Sequence, residues 1–449
     1  MCQKQLNILE LFAGVGGFRV GLENSNPDLY ITKWANQWEP SKKSQDAFEV
    51  YNYNFRDSEN INISIEDITN EKFESMDADI IVGGFPCQDY SVARSKKHEM
   101  GIEGKKGVLF WQIIRATNHI KPKYLILENV DRLLKSPSNQ RGRDFAIMLS
   151  AFNNLGYSVE WRVINAAEHG GAQRRRRVFF FVYRNDTPFA MAMDEKYGVM
   201  KNNDILDWDD HAFDEYIFKD GLFARQFPIK QEMKYDGKTA RHYSDRLFDD
   251  TVEVSDSFTG KVWNTGIMRY GRYFTIDTQA SDAELAKVRT LGSIAQSVEE
   301  VDEHFYITDE TKLEKFHYLR GPKKIQRTTV DGHEWTYSEG GMAPFDDFNL
   351  PGRTMLTSEG SVNRSTHFLK IGERYRLITP IEAERLNDFP SDWTRYKLHD
   401  GEKVEVSDRM RYFFMGNALV TSIIKRIGDE LQEIIAMESV KKEEEKVAI

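Results

Sequence analysis

The sequence predicts a doubly wound α/β domain interrupted by a smaller, mostly irregular and β-leaning insertion. Three observations predict it. Strand-like and helix-like segments alternate over the first 185 residues, the middle of the chain loses that alternation, and helical periodicity returns near Tyr375. At 449 residues the chain is long enough for one large domain with a second beside it.

The strand candidates are Leu6–Phe12, Ile31–Asn36, Ile80–Gly83, Tyr124–Leu127, Val159–Ile164 and Val178–Tyr183. They are short β-branched or aromatic runs closed by Gly, Asn or Pro signals, the pattern of buried parallel strands. Between them run the helical stretches "FRVGLENS", "SKKSQDAFEVYNYNF", "GVLFWQIIRATNHI" and "RDFAIMLSAFNNLG". From Thr187 to Phe368 the chain is aromatic and rich in Asp, Lys and Arg, with a helical period only near "DAELAKVRTLGSIAQSVEE". This reads as a separate domain. In "TPIEAERL", Thr379 is an N-cap, Pro380 the first helical residue and Glu382 the third, a capping box. The helical "ALVTSIIKRIGDELQEIIAM" then gives way to the tail "KKEEEK". The expected organisation is residues 1–186 and 369–437 as one discontinuous domain, 187–368 inserted, and 438–449 a charged tail.

Composition narrows the function classes. A hydrophobic fraction of 40% with 29% charged residues describes an ordinary soluble protein. The two cysteines, Cys2 and Cys87, lie far apart, and neither a CxxC pair nor a Cys/His cluster occurs, so no metal site is expected. "MCQKQLNILELF" lacks the pattern of a signal peptide, and "VFFFVY" is too short to span a bilayer; a cytoplasmic, bacterial setting without membrane contact is expected. The formal charge of −10 argues against coating nucleic acid along the whole surface but leaves room for a local basic cleft.

A ligand signal sits at the first strand–helix junction, "LELFAGVGGF", where Gly14, Gly16 and Gly17 let a backbone approach a ligand closely. The spacing is not the dinucleotide fingerprint, because Arg19 occupies the third glycine position. Glu39 in "WANQWEP" follows the second strand, where a carboxylate takes ribose hydroxyls, and Asp67 in "EDI" follows a third strand-like segment, where it accepts from an adenine amine. Singly, a glycine turn is tight packing and Glu39 a helix N-terminal charge. In order, they describe an adenosine-containing ligand without a pyrophosphate, which S-adenosylmethionine fits.

Cys87 stands in "GGFPCQDYSVA", directly after the apolar "DADIIV". Together with "FAGVGG", "LILENV", "QRRRRVFF", "RLITPIEAERLNDFP" and "MGNALV", this chain resembles the DNA (cytosine-5) methyltransferases of bacterial restriction–modification systems. The motifs occur in that family's order and leave the middle unmatched, where the family carries its target recognition domain. The resemblance implies a Rossmann-like, S-adenosylmethionine-dependent fold that releases S-adenosylhomocysteine. It implies action on double-stranded DNA as a monomer, with a cognate restriction endonuclease as partner.

The family's chemistry explains the residue types. Cytosine C5 is a poor nucleophile, so a thiolate must first add at C6, and Cys87 is the only interior candidate. Its loop position near arginines favours the thiolate. The resemblance gives Glu128 the task of a general acid at N3 and has Asn129 and Val130 shape the pocket. It maps Gln173, Arg175 and Arg177 onto the cytosine carbonyl and nearby backbone, with Gln88, Ser91 and Arg364 also facing DNA. Alternation sends Arg175 and Arg177 to one side and Arg174 and Arg176 to the other. Around the cofactor it adds Phe12, Ile68, Pro86, Leu109 and Asn417 to Gly14, Gly16, Gly17, Glu39 and Asp67.

Ile381, Asn387 and Asp388 depart from the commonest family residues and read as surface variation. DNA contacts are expected in "KVWNTGIMRYGRYFT" and "GRTMLTSEGSVNRSTHF". The same motifs serve cytosine in RNA, and a copy without catalysis keeps the fold. The long middle region favours duplex DNA, and intact Cys87, Glu128, Arg175 and Arg177 favour an enzyme.

Overall fold

The computed structural model describes residues 5–40, 42–85, 109–197, 200–202, 205–230, 242–329 and 331–447. Cys2, Pro86, Cys87, Gln88 and Ser91 lie outside the described residues.

The elements that build the site are β1 (Leu6–Leu11), α1 (Gly17–Ser25), β2 (Tyr30–Asn36), α2 (Asp46–Asn54), β3 (Glu59–Ile61) and β4 (Ile80–Gly84). Next come α3 (Leu109–Ile120), β5 (Tyr124–Val130), α4 (Arg143–Asn154), β6 (Tyr157–Asn165) and β7 (Arg176–Arg184). Each expected strand is present within three residues at either end. Five strands are parallel, in the order β5-β4-β1-β2-β3, while β7 runs antiparallel between β5 and β6. The sheet is therefore mixed rather than wholly parallel.

Continuous apolar runs arise because both faces are covered. In "VFFFVY", Phe179, Phe181 and Tyr183 join Ile8, Val82 and Ile126 under α1 and the long C-terminal helix, whereas Val178, Phe180 and Val182 join Leu9, Ile81 and Leu127 under α3 and α4. Chain order reverses at β1, which lies between β4 and β2. Such a switch point opens a crevice at the strands' carboxyl ends.

The expected domain boundary at 187 is corrected. Strands β8 (His242–Arg246), β9 (Thr265–Arg269) and β10 (Arg272–Ile276) extend the same sheet, with β9 paired to β6, and make it ten-stranded. Trp208, Phe213, Tyr216 and Phe227 share a core with Ile80 and Tyr124. Arg269, in a stretch expected to contact DNA, is buried and bonded to Asp194 at 3.0 Å, and Arg162 of β6 donates to the carbonyls of Ile217, Phe223 and Phe227. "KVWNTGIMRYGRYFT" thus covers β9 and β10, which are almost wholly buried, so those two strands present little surface for DNA contacts.

The remaining insertion has a small core in which Phe316 stacks on Phe368 at 4.7 Å and Phe368 on Tyr375 at 5.0 Å. The chain returns through helix α7 (Pro380–Leu386), whose Thr379–Glu382 capping box forms as the residue pattern predicts. Helices α8 (Asp408–Asn417) and α9 (Thr421–Val447) complete the sheet domain. Among the described residues no helix is long and apolar enough to cross a membrane, and no group of three His, Cys, Asp or Glu side chains gathers to hold a metal.

Candidate active site

Strand β5 brings Glu128 beside Gly84, its register partner on β4, so the chain leaves β4 toward Cys87 next to this carboxylate. On the other side, Val130 pairs with Arg177 of β7, which makes Glu128 and Arg177 diagonal neighbours on one face. Arg177 Nε lies 2.8 Å from Glu128 Oε1, with 16% and 13% of the two side chains exposed. Burial raises the Glu128 pKa, and the Arg177 and Arg175 charges oppose that rise. A buried carboxyl whose pKa is raised while two guanidiniums oppose the rise suits general-acid chemistry.

Asn129 is buried and turns the other way. Its Nδ2 donates to the Phe85 carbonyl at 3.0 Å, and its Oδ1 accepts from the Val130 amide at 2.8 Å. That bond fixes the backbone two residues before Cys87 to the strand carrying Glu128.

The arginine run alternates as expected. Arg174 and Arg176 are exposed, Arg175 is buried and Arg177 half-buried. Arg176 pairs with Asp131 at 3.1 Å. Arg175 donates to the carbonyls of Met355 at 3.2 Å and Gly416 at 2.9 Å, and its buried Nε has no partner. The close crossing there needs glycine, since a Cβ at Gly416 would meet the Thr357 amide nitrogen at 2.4 Å.

Gln173 is committed to the interior. It is buried, its Nε2 donates to Leu386 O and Asn387 Oδ1, and its Oε1 accepts from the Met355 amide. The amide is spent tying β7 to α7 and the 352–355 segment. Asn387 and Asp388 are not surface variation either. Asn387 is buried and bonds the Met415 carbonyl, and Asp388 is held by Arg289 and Ser422. Arg364 is engaged at 2.5 Å by Glu339 and by the Gly340 carbonyl, so it holds a hairpin root.

The β1–α1 turn at the switch point carries the first of the cofactor candidates. Phe12, Gly14 and Gly16 all have positive φ, at 55°, 55° and 90°. A Cβ at Gly16 would also lie 2.5 Å from the Phe55 ring, so only glycine closes this turn over α2. Gln37 Oε1 takes the Gly14 amide at 2.8 Å. Arg19, in place of a third glycine, is buried over Phe55 and pairs with Glu23 and Asp57. Gln45 clamps the Glu39 backbone through both its N–H and its C=O, and Glu39 Oε2 is buried with no partner. Burial raises the Glu39 pKa. An orphaned carboxylate oxygen at the crevice fits a ligand that brings hydroxyl donors.

Asp67 is exposed in a 3-10 turn rather than at a strand end, and Ile68 beside it is buried. Leu109 opens α3 half-buried, and Asn417 ends α8 exposed to solvent. The Leu419 side chain, just beyond, lies against Gly17. Residue patterns missed Trp393, whose Nε1 donates to the Val15 carbonyl at 2.8 Å and ties the returning segment to the glycine turn.

The chain matches the model of C-5 cytosine-specific DNA methylases over residues 6–433. It is 51% identical to the type II methyltransferase M.Sau3AI of Staphylococcus aureus over 430 residues, which cover 96% of each chain. It is 34% identical to M.HhaI of Haemophilus parahaemolyticus over 181 residues, 40% of this chain and 50% of the relative. In fold it is similar to the S. pombe Dnmt2 methyltransferase, with a TM-score of 0.55 at 15% identity over 96% of this chain and 99% of that one. A match through both the glycine turn and the returning helices leaves one assignment: this chain belongs to the C-5 cytosine-specific DNA methylase family.

Proposed function

We propose that this DNA cytosine-5 methyltransferase acts on one short duplex motif and methylates a cytosine flipped out of the helix, through a covalent bond between Cys87 and C6. A cytosine inside a duplex is out of reach, so extrusion precedes chemistry. The Cys87 thiolate adds to C6 as Glu128 gives its proton to N3, leaving an enamine whose C5 is nucleophilic. S-adenosylmethionine, when bound, supplies the methyl group that C5 takes. The C5 proton then leaves to a base, the C5–C6 double bond reforms, the thiolate departs, and N3 returns its proton to Glu128. Arg177 orients Glu128 and balances its charge whenever the proton is away. Glu39 would hold the ribose through its orphaned oxygen, and the glycine turn would admit the rest of the cofactor.

The observation that carries this reading is the bond from Asn129 to the Phe85 carbonyl. It joins the approach to the nucleophile to the strand that carries the acid. The likeness to M.Sau3AI across the full chain supports a type II restriction–modification setting with a companion endonuclease, and we read the enzyme as a monomer. Bisulfite sequencing of plasmid recovered from expressing cells tests the function. Modified cytosines confined to one short motif are expected. Unmodified DNA, with labelled methyl passing to tRNA instead, would overturn it.

A further inference from the structure

Helix α6 (Glu310–Arg320) leads into a two-stranded ribbon, β11 (Lys323–Thr328) and β12 (Glu334–Glu339). Neither strand belongs to another sheet, and nearly every residue on both faces is exposed. An isolated hairpin is marginal in water, so its persistence needs a cause. One face supplies it. Arg327 lies over the Tyr337 ring at 4.7 Å and the Trp335 ring at 5.8 Å, and the two rings meet edge to face. The tip is closed by the Thr329 hydroxyl, which accepts from the His333 amide and donates to its carbonyl.

The opposite face is different. Register places Lys324 with Ser338, Gln326 with Thr336 and Thr328 with Glu334, every one polar and exposed. The Thr336 hydroxyl donates to Gln326 Oε1 at 3.0 Å, which orients the amide and leaves its N–H groups outward. Across the helix and ribbon, Lys312, Lys315, Arg320, Lys323, Lys324 and Arg327 stand against Glu310, Glu314, Asp331, Glu334 and Glu339, a slight positive excess in a chain whose net charge is −10.

Its root is rigid and reaches the catalytic strand. Buried Asp346 binds Arg320 at 2.6 Å and Arg353 at 2.7 Å, and Arg364 holds Glu339. Two residues beyond Arg353, Met355 bonds both Gln173 and Arg175.

We infer that the β11–β12 ribbon is the base-reading element of this methyltransferase, its Gln326/Thr336 face entering the major groove of duplex DNA beside the flipped cytosine. The inference rests on the function proposed above. The major groove admits a two-stranded ribbon, and an oriented glutamine amide matches the N6/N7 edge of adenine. The aromatic face stiffens what the polar face presents, and the root sets its distance from Arg175.

The test measures methylation by the purified full-length enzyme on duplexes carrying every single base-pair variant of its motif. Gln326→Ala is expected to lower discrimination at one A·T pair by roughly 10- to 100-fold. Lys324→Ala is expected to weaken all sequences alike and flatten the salt dependence. Replacing residues 324–338 with an Asn-Gly turn should abolish site selection while S-adenosylmethionine affinity and Tm stay at wild-type values. Unchanged selectivity in both Gln326→Ala and the ribbon replacement, with a wild-type enzyme that modifies one motif, would overturn the ribbon assignment alone. A wild-type enzyme that modifies no DNA overturns the proposed function and this inference with it.

Discussion

Arg177 Nε stands 2.8 Å from Glu128 Oε1, and the pair spans two strands that meet beside the exit of β4. Burial and this ion pair pull the Glu128 proton in opposite directions. In the proposed mechanism Glu128 is the acid, so activity should fall as pH rises through its pKa. Arg177→Ala removes the charge that holds this pKa down, and the alkaline limb of the kcat profile should move to higher pH even as kcat drops. Glu128→Gln should lower kcat by about 10²–10⁴-fold and abolish the limb. A limb that stays put in Arg177→Ala, or moves to lower pH, would mean that Glu128 is not the titrating acid.

Glu39→Ala removes the orphaned carboxylate oxygen at the crevice. Cofactor binding should weaken by about 1–3 kcal/mol through lost ribose hydrogen bonds, with the DNA motif unchanged. Calorimetry decides, and equal affinity in the variant would remove Glu39 from the cofactor site.

Gln173→Leu separates a structural from a base-reading role. Loss of the amide strands the Met355 amide, the Leu386 carbonyl and the Asn387 side chain in the interior. Denaturant unfolding should show a cost of at least about 2 kcal/mol. Wild-type stability with a lower kcat/KM would return Gln173 to the target base.

Much of this was legible because it is local or periodic. The β1–α1 glycine turn, the Thr379 capping box and the alternation of Arg175 and Arg177 follow from backbone geometry over a few residues. What Arg175 holds was not legible, since the Met355 and Gly416 carbonyls lie 180 and 241 residues away. The middle segment misled for a physical reason. Arg269 read as a DNA-facing charge, yet Asp194 satisfies it in the core. The ribbon escaped notice because the alternation of Trp335 and Tyr337 with polar residues spans only a few positions inside a segment without sustained periodicity.

Glu10 on β1, beneath the glycine turn, offers a pH test of stability. Burial raises its pKa to about 7, opposed by the Tyr51 hydroxyl bond and the Arg19 charge, with Glu23 adding to the rise. The folded pKa exceeds the unfolded one, so this contribution is complete below the ordinary glutamate range and is lost as pH rises through about 7. Between pH 5 and pH 8.5, Glu10→Gln should gain on wild type by up to roughly 3 kcal/mol. Parallel stability profiles would show that Glu10 ionises without cost.

The central claim is covalent catalysis by Cys87, and a target with fluorine at C5 tests it most directly. After methyl transfer such a ring has no proton to lose at C5, so the bond from Cys87 to C6 cannot break. Duplex DNA carrying 5-fluorocytosine at the target, incubated with enzyme and S-adenosylmethionine, should give an adduct that survives denaturing electrophoresis. Peptide mapping should place the link at Cys87 and leave Cys2, the only other cysteine, unmodified. Methyl transfer to ordinary DNA with no adduct on the fluorinated duplex, or an adduct at Cys2, would contradict the account.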